Sequence, residues 1–202
     1  QKLGADVREE VVQAVDHVDL SVTQGEVVGL VGESGCGKST YGRMVAGILP
    51  PTAGTLHYRG AEVTDTSSPE GKVAALKIQM IFQDPFASLN PRMRVRDIVG
   101  EAPKIHRLLD GQTQDEYVED MLEKVGLDAS YKMRYPHQFS GGQRQRLGVA
   151  RALAVKPEFL VCDEAVAALD VSIQAQVLNL FMDLQEALDL TYLFISHDLS
   201  VV

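Results

Sequence analysis

The sequence predicts an α/β fold with a mainly parallel β-sheet, an N-terminal antiparallel β part and a helical insert. Three observations lead to this prediction. Short apolar runs typical of buried parallel strands recur along the chain, segments with helical spacing alternate with them, and one long stretch has only the helical pattern. Alternating strands and helices are typical of α/β domains, because each crossover helix packs on the sheet that it connects.

Five segments are predicted to be strands. Val18, Leu20 and Val22 alternate with polar residues, which is the period of a half-buried antiparallel strand. The apolar run at residues 26–31 suits a strand that is buried on both faces of a parallel sheet. Each of the remaining runs is followed by a polar stretch. They lie at residues 78–82, 159–162 and 192–195.

Helical patterns lie between these runs. In residues 115–125 apolar side chains recur every three or four residues, and the pattern ends at Gly126, which suits a helix stop. Residues 172–188 repeat the pattern, and residues 144–154 are rich in good helix formers. Residues 84–138 have helical patterns without a buried-strand run, so they are predicted to form a helical insert.

Size and composition indicate one globular domain over residues 1–202. Of the 202 residues, 45% are hydrophobic and 23% charged, which excludes disordered and collagen-like chains. No apolar run reaches the roughly 18 residues that span a bilayer. The net charge of -9 repels nucleic acid, so no nucleic-acid partner is expected.

A phosphate-binding pattern follows the predicted strand at residues 26–31. Residues 32–39 read G-E-S-G-C-G-K-S and match G-x-x-x-x-G-K-[ST]. Glycines let successive backbone N–H groups turn towards one anion, and the N-terminus of the following helix adds partial positive charge. Lys38 would reach the β- and γ-phosphates of a nucleotide, and Ser39 would bind Mg²⁺. The sequence therefore predicts a P-loop NTPase core.

Two other interpretations of this loop are weaker. A glycine-rich turn that binds nothing would match the four fixed positions only rarely by chance. A Rossmann dinucleotide site needs G-x-G-x-x-G, which Gly32, Gly35 and Gly37 do not form. Such a site would also leave Lys38 and Ser39 unexplained.

Two carboxylates follow the apolar run at residues 159–162. Asp163 would complete a Mg²⁺ site, and Glu164 would act as general base on the attacking water. The C-terminal ends of strands are where open α/β sheets bind ligands. Taken alone, two such acids are more often solvated loop residues, and the P-loop is what favours the catalytic interpretation.

A Ser-Gly-Gly-Gln turn at residues 140–143 precedes the predicted helix 144–154. Such a turn is a second potential anion site, because it opens a helix. The alternative is a simple N-cap with the Ser140 hydroxyl as the capping oxygen. Without further context, the N-cap is the preferred interpretation.

Together the motifs resemble the nucleotide-binding subunit of ATP-binding cassette transporters, from about residue 14 to the last residue. The strongest marker is F-S-G-G-Q-R-Q-R at residues 139–146, which is similar to the signature motif of that family. Residues 82–92 resemble its Q-loop in the oligopeptide and dipeptide importer branch. Residues 168–176 resemble its D-loop and following helix, and residues 195–198 resemble its switch-histidine segment.

The resemblance implies a head-to-tail dimer in which the P-loop of one subunit and the signature motif of the other enclose each ATP. Gln83 would touch Mg²⁺ or the lytic water and relay its state through the helical insert, and His197 would hold the γ-phosphate. By residue type alone, a histidine in this position is more often a packed or capping residue. The implied catalytic residues are Lys38, Gln83, Glu164 and His197, and the implied metal ligands are Ser39, Gln83 and Asp163. The implied nucleotide-binding residues are Gly32, Glu33, Ser34, Gly35, Cys36, Gly37, Lys38, Ser39, Thr40, Ser140, Gly141, Gly142, Gln143 and Asp170.

The function that the resemblance implies is that of an ATP-hydrolysing subunit, which energises import of oligopeptides, dipeptides or a similar small solute. ATP and Mg²⁺ are the expected cofactors. Transmembrane permease subunits would be direct partners, and an extracytoplasmic solute-binding protein an indirect one. The chain would lie peripherally on the cytoplasmic face of the inner or plasma membrane, in keeping with two cysteines that lack CxxC spacing.

A second function class stays open, namely a nucleotide-binding regulatory or interaction module without productive turnover. Hydrolysis separates the two classes, because Glu164→Gln would trap an ATP-bound dimer only in an active ATPase. A third possibility is a family relative that acts on DNA or ribosomes. The net charge of -9 and the residues at positions 83–92 disfavour it.

The chain departs from the family pattern in two places, namely the segment expected to contact adenine and the loop after Glu164. Residues 1–40 contain no Phe, Tyr or Trp to stack on adenine, so we expect the adenine contact to be weak, to be apolar through residues such as Val11 or Val12, or to be supplied otherwise. Ala165 and Ala167 stand where this branch usually has proline and serine. We therefore expect a more mobile loop after residue 164 and a poorer D-loop contact across the dimer.

The chain also ends five residues after His197, where the family continues with further strands and helices. A C-terminal truncation is therefore expected, with an exposed sheet edge or apolar face. Such a chain should have low stability or self-associate unless a further polypeptide segment covers that surface. A monodisperse monomer that melts cooperatively would contradict this expectation.

Overall fold

The computed structural model describes residues 14–84 and 88–198. Its strands are β1 (Val27–Val31), β2 (His57–Tyr58), β3 (Ala61–Glu62), β4 (Ile78–Ile81), β5 (Phe159–Asp163) and β6 (Thr191–Ser196). Its α-helices are α1 (Lys38–Val45), α2 (Pro69–Lys77), α3 (Val95–Ile105), α4 (Gln114–Lys124), α5 (Gly141–Leu153) and α6 (Val171–Leu188). Two 3-10 helices, Ala129–Met133 and Pro136–Gln138, lead into α5.

Four strands form one parallel sheet in the order β1-β6-β5-β4, and β2 and β3 form a separate antiparallel pair. Parallel neighbours need long crossovers, and helices supply them here. The predicted α/β class with a mainly parallel sheet is therefore confirmed. The runs predicted as strands at residues 78–82, 159–162 and 192–195 are confirmed as β4, β5 and β6.

Apolar side chains cover both faces of the central strands. In β5, Leu160 and Cys162 pack into the core on the side of α5 and α6, whereas Val161 packs on the other side with residues of α1 and α2. In β6, Tyr192 joins the first core and Leu193 the second. This alternation is what continuous apolar runs produce when a strand is covered on both faces.

Two strand predictions near the N-terminus need correction. Residues 18–22 form no strand, and Val18 and Leu20 are 51% and 41% exposed, because no neighbouring strand among the described residues pairs with them. The antiparallel part of the fold is β2–β3 instead. Strand β1 was expected to be buried on both faces, but within residues 14–84 and 88–198 it pairs with β6 alone, at the edge of the sheet, and Val27 is 45% exposed.

The stretch predicted as a helical insert, residues 84–138, contains α3, α4 and the two 3-10 helices. A capping box between Thr113 and Glu116 starts α4, and Gly126, with φ +69°, follows its C-terminus. Helices α3 and α4 pack against α5, and the buried Tyr117 hydroxyl donates to the Ala154 carbonyl at 2.8 Å. Helices α5 and α6 also match their predicted segments, 144–154 and 172–188, within three residues at each end.

Membrane-spanning helices are a separate question. Over the two described ranges, the structure contains no helix that is both long and apolar enough to cross a bilayer.

Burial of α5 predicts a large stability difference between two leucines. Leu147 in α5 is 0% exposed and Leu188 in α6 is 45% exposed. Leu147→Ala should lower the free energy of unfolding by about 2–5 kcal/mol, because it leaves a cavity in the core. The matched variant Leu188→Ala should cost less than about 1 kcal/mol. Urea unfolding checks this, and equal losses would contradict the core position of α5.

Candidate functional site

A cleft of about 450 Å³ lies where the parallel strands end. The loop after β1 and the first turn of α1 form one side of it, and residues that follow β4 and β5 form the other. This is the edge at which open α/β sheets bind ligands. The cleft is lined by Ala14, Ser34, Gly35, Cys36, Gly37, Lys38, Ser39, Thr40, Gln83 and Glu164.

The loop at residues 32–37 has the backbone shape that an anion site needs. Gly35 and Gly37 have φ values of +83° and +95°, in the left-handed region that favours glycine. A Cβ at Gly37 would lie 2.1 Å from the Ala14 carbonyl oxygen, so a side chain has no room there. Gly37 also provides no side-chain cap for α1, which leaves the first N–H groups of that helix available to an anion.

The Lys38 side chain lies over this loop. It is buried, and its Nζ donates to the Gly32 carbonyl at 2.7 Å and to the Glu33 carbonyl at 2.6 Å. The ammonium group of a lysine is a compact charge with three N–H donors on a flexible stem, so it can exchange bonds to backbone carbonyls for bonds to other acceptors. It is therefore suited to bind phosphate oxygens within the loop.

Ser39 and Asp163 meet although they are 124 residues apart in the sequence. The Ser39 hydroxyl donates to Asp163 Oδ1 at 2.8 Å. Burial raises the pKa of the Asp163 carboxyl and the nearby Glu164 carboxylate adds to this, while the Ser39 bond and the charges of Arg43 and Lys38 oppose it. A hydroxyl and a carboxylate are hard oxygen donors of the kind that Mg²⁺ prefers, so this pair fits the cation.

The Glu164 carboxylate contacts two side chains from other loops. Gln83 Nε2 donates to Glu164 Oε2 at 2.7 Å, and His197 Nδ1 lies 3.4 Å from Glu164 Oε1. Glu164 has φ +46°, a left-handed conformation that costs about 1 kcal/mol or more in a residue with a side chain. Its N–H donates to the Ile195 carbonyl at 3.0 Å, and its carbonyl accepts from the Ala167 N–H at 3.0 Å. The fold therefore holds this carboxylate in place on both sides.

A second, smaller cavity of about 110 Å³ shares Glu164 with the cleft. His197, Asp198 and Gln174 line it together with Ala165 and Ala167. Ala165 is buried, whereas Ala167 is exposed. His197 thus lies beside Glu164, and it lines this smaller cavity rather than the cleft.

The turn at residues 140–143 does not line either cavity. Ser140 caps α5: its Oγ accepts from the Gln143 N–H at 3.3 Å, and Gln143 Oε1 accepts from the Ser140 N–H at 3.1 Å. The N-cap interpretation is therefore confirmed within the chain. Gly142 is buried, and a Cβ there would lie 2.5 Å from Ile173 Cγ2. Asp170 is exposed before α6 and forms no side-chain cap.

Sequence reasoning missed two contributors to the site. The Ala14 carbonyl packs on Gly37 and Ala14 lines the cleft, and no sequence signal marks a contact made by a backbone oxygen. Gln174 lines the smaller cavity, although its segment was assigned only to a helix. Val11 and Val12, which were expected to contact adenine, lie outside the described residues.

The raised pKa of Asp163 predicts that this carboxylate destabilises the protein at neutral pH when no cation is bound. The folded state favours the protonated form, so ionisation above the folded pKa costs stability, and the cost disappears as the pH falls below it. In EDTA at pH 7.5, Asp163→Asn should raise the melting temperature by a few degrees, while the exposed Asp183→Asn should not. The gain should shrink towards acidic pH, and a lower melting temperature at pH 7.5 would contradict the prediction.

The chain is similar to proteins that are named as ATP-binding proteins of peptide transport. It is 54% identical over 192 residues to the oligopeptide transport ATP-binding protein AppF of Bacillus subtilis, covering 95% of this chain and 58% of that protein. It is 49% identical over 201 residues to the dipeptide transport ATP-binding protein DppF of Haemophilus influenzae, covering 100% of this chain and 62% of that protein. The chain thus spans about three fifths of the length of these relatives.

Solved structures agree with the fold. The dimeric, post-hydrolysis structure of the ATP-binding cassette MJ0796 with ADP and Pi has a TM-score of 0.83 and 28% sequence identity. The alignment covers 98% of this chain and 85% of that one. The family described as ABC transporter matches residues 15–167, which include both strand-end carboxylates and the loop at residues 32–39. The chain therefore belongs to the ABC transporter family and has the fold of its ATP-binding cassette.

Proposed function

We propose that this chain is the ATP-hydrolysing subunit of a transporter that imports oligopeptides, dipeptides or a similar small solute. The observation that carries the proposal is the Glu164 carboxylate, bonded to Gln83 at 2.7 Å and next in sequence to the Asp163 carboxylate that Ser39 contacts. This arrangement puts a base and a metal site side by side. The names of the oligopeptide and dipeptide transport relatives support the solute class.

The phosphates would bind in the loop at residues 32–37, with residues 38–40 at the start of α1. Backbone N–H groups and the helix N-terminus supply donors and partial positive charge for the phosphate oxygens. Lys38 Nζ would exchange its bonds to the Gly32 and Glu33 carbonyls for the β- and γ-phosphates. Glu33, Ser34, Cys36 and Thr40 would contribute mainly through their backbone.

Ser39, Asp163 and Gln83 would hold Mg²⁺, which would neutralise charge on the β- and γ-phosphates. Ionised Asp163 is costly where it is buried, and a bound cation offsets that cost. Gln83 has a side-chain oxygen for the cation, while its Nε2 donates to Glu164.

Glu164 would take a proton from the attacking water. Its Oε2 accepts a hydrogen bond from Gln83, which orients the carboxylate, and the left-handed backbone of Glu164 departs from the extended conformation of β5. His197 lies 3.4 Å from the same carboxylate and would hold the γ-phosphate from within its own subunit. Base and metal ligand are therefore neighbours in sequence with different tasks.

The nucleotide would be enclosed by a second ATP-binding subunit in head-to-tail orientation. Ser140, Gly141, Gly142 and Gln143 lie outside both cavities of their own chain, which supports a role towards the nucleotide of the partner. Asp170 and Val171 are exposed, Val171 at 84%, and would meet the partner in the same interface. The MJ0796 cassette is dimeric, which supports a dimer of such subunits.

The other partners follow from the transport function. Transmembrane permease subunits would contact the helical insert, and an extracytoplasmic solute-binding protein would act indirectly through them. The chain would lie peripherally on the cytoplasmic face of the membrane. The net charge of -9 argues against a nucleic-acid partner.

Hydrolysis of Mg-ATP by wild type, Lys38→Ala and Glu164→Gln tests the proposal. Glu164→Gln should lower kcat about 100-fold or more, because the general base is lost, while ATP binding remains. Lys38→Ala should lose ATP affinity along with turnover. Size-exclusion chromatography with light scattering should show ATP-dependent dimers in Glu164→Gln.

Two exposed residues provide matched controls. Lys72→Ala and Glu123→Gln remove the same groups from exposed positions of helices α2 and α4 that line neither the cleft nor the smaller cavity, and should leave kcat within about twofold of wild type. Binding of ATP without turnover in the wild type would support the regulatory module instead. Turnover that survives Glu164→Gln would contradict the role of that carboxylate.

A further inference from the structure

Three arginines of α5 donate to backbone carbonyls of three other segments. Arg144 Nε donates to the Pro136 carbonyl at 3.0 Å, and Arg146 Nη1 donates to the Val125 carbonyl at 2.8 Å. Arg151 Nη1 donates to the Ser88 carbonyl. The first two contacts join α5 to neighbouring parts of the helical insert, whereas the third reaches the segment that follows Gln83.

Ser88 is tied in turn to the residue after Gln83. The Ser88 N–H donates to the Asp84 carbonyl at 3.3 Å, and Gln83 Nε2 donates to Glu164 at 2.7 Å. Arg151 therefore contacts Ser88, Ser88 is hydrogen-bonded to Asp84, and a peptide bond joins Asp84 to Gln83. The Ser88–Asp84 hydrogen bond limits how far Ser88 can move relative to Asp84, so a shift of Ser88 would displace Asp84, which is covalently linked to Gln83.

The environment of Arg151 makes this contact costly to lose. Burial lowers the pKa of Arg151, and among the described residues it forms no ion pair. An arginine remains ionised in proteins, so a guanidinium taken from water needs strong acceptors. The Ser88 carbonyl is the acceptor that the structure provides, and a charge-assisted bond of this kind fixes both partners.

We infer that Arg151 is a positioning residue for Gln83, and that its bond to the Ser88 carbonyl holds the Gln83 side chain at the Glu164 carboxylate. The inference rests on the proposed function, because it assigns a role in turnover. Arg151 lines neither the cleft nor the smaller cavity, and it acts through the Asp84–Ser88 bond. It also links Gln83 to α5, the helix that Ser140 caps.

The chain offers a matched control at the C-terminal end of the same helix. Tyr117→Phe and Arg151→Met each remove one side-chain hydrogen bond to a backbone carbonyl, but the Tyr117 bond joins α4 to Ala154 and does not involve Ser88. Both variants should lose stability, so a drop in stability alone decides nothing. Turnover is compared at a temperature where circular dichroism shows both to be folded.

Steady-state kinetics should separate positioning from packing. Arg151→Met should lower kcat about tenfold or more with little change in KM for ATP, because the phosphate loop is untouched while Gln83 is misplaced. Arg151→Lys should recover part of the loss, and Tyr117→Phe should keep kcat within about twofold of wild type. In a Gln83→Ala background, Arg151→Met should add no further loss, because both changes remove the same contact.

Hydrogen exchange of the Ser88 amide gives a readout that needs no turnover. Arg151→Met should speed this exchange and Tyr117→Phe should not, since only the first frees Ser88. Unchanged exchange in Arg151→Met, or losses in kcat that multiply with Gln83→Ala, would overturn the inference. A wild type without turnover would refute the proposed function, whereas the exchange experiment would still decide whether Arg151 holds Ser88.

Discussion

The site depends on the parallel register of the central sheet. Val31 pairs with Ser196, and Ile195 pairs with Asp163, so β1, β6 and β5 end at the same level. The loops that follow these strands must therefore share one edge. Residues from widely separated parts of the chain meet there, and neither the phosphate loop nor the carboxylates could form a site alone.

At this edge, backbone geometry separates two neighbouring carboxylates. Asp163 is the last residue of β5 and remains buried against Ser39, whereas Glu164 turns into the left-handed region and reaches Gln83. An extended residue at position 164 would continue the alternation of the strand instead. The strain at Glu164 and the burial of Asp163 both cost stability, and both accompany groups that the proposed chemistry needs.

Helix α5 connects this site with the rest of the molecule. Its N-terminus is capped by the serine of the signature turn, its apolar face packs in the larger core, and its arginines donate to carbonyls of other segments. The cap satisfies one N–H through the Ser140 side chain, and other N–H groups of the first turn have no intrahelical acceptor. A capped helix start and an anion site are therefore compatible descriptions of the same turn.

Short sequence patterns were sufficient to predict those elements that depend on residues close together in the chain. The apolar runs of β4, β5 and β6, the helical spacing of residues 115–125 with its stop at Gly126, and the G-x-x-x-x-G-K-[ST] loop each carry their own signal, because side-chain spacing and glycine conformations act over a few residues. The resemblance to ATP-binding cassettes rested on motifs of this kind. Residues 18–22 had the same sort of signal, but a strand also needs a paired neighbour.

The sequence by itself determined the α/β class, the phosphate loop and the identity of the two carboxylates. Only the tertiary structure decided that β1 lies at the sheet edge, that Ala14 packs on Gly37, that Gln83 and His197 share Glu164, and that Arg151 reaches Ser88. Each of these depends on segments far apart in the chain. Their contacts are set by strand order and helix packing, for which no short pattern of residues carries a signal.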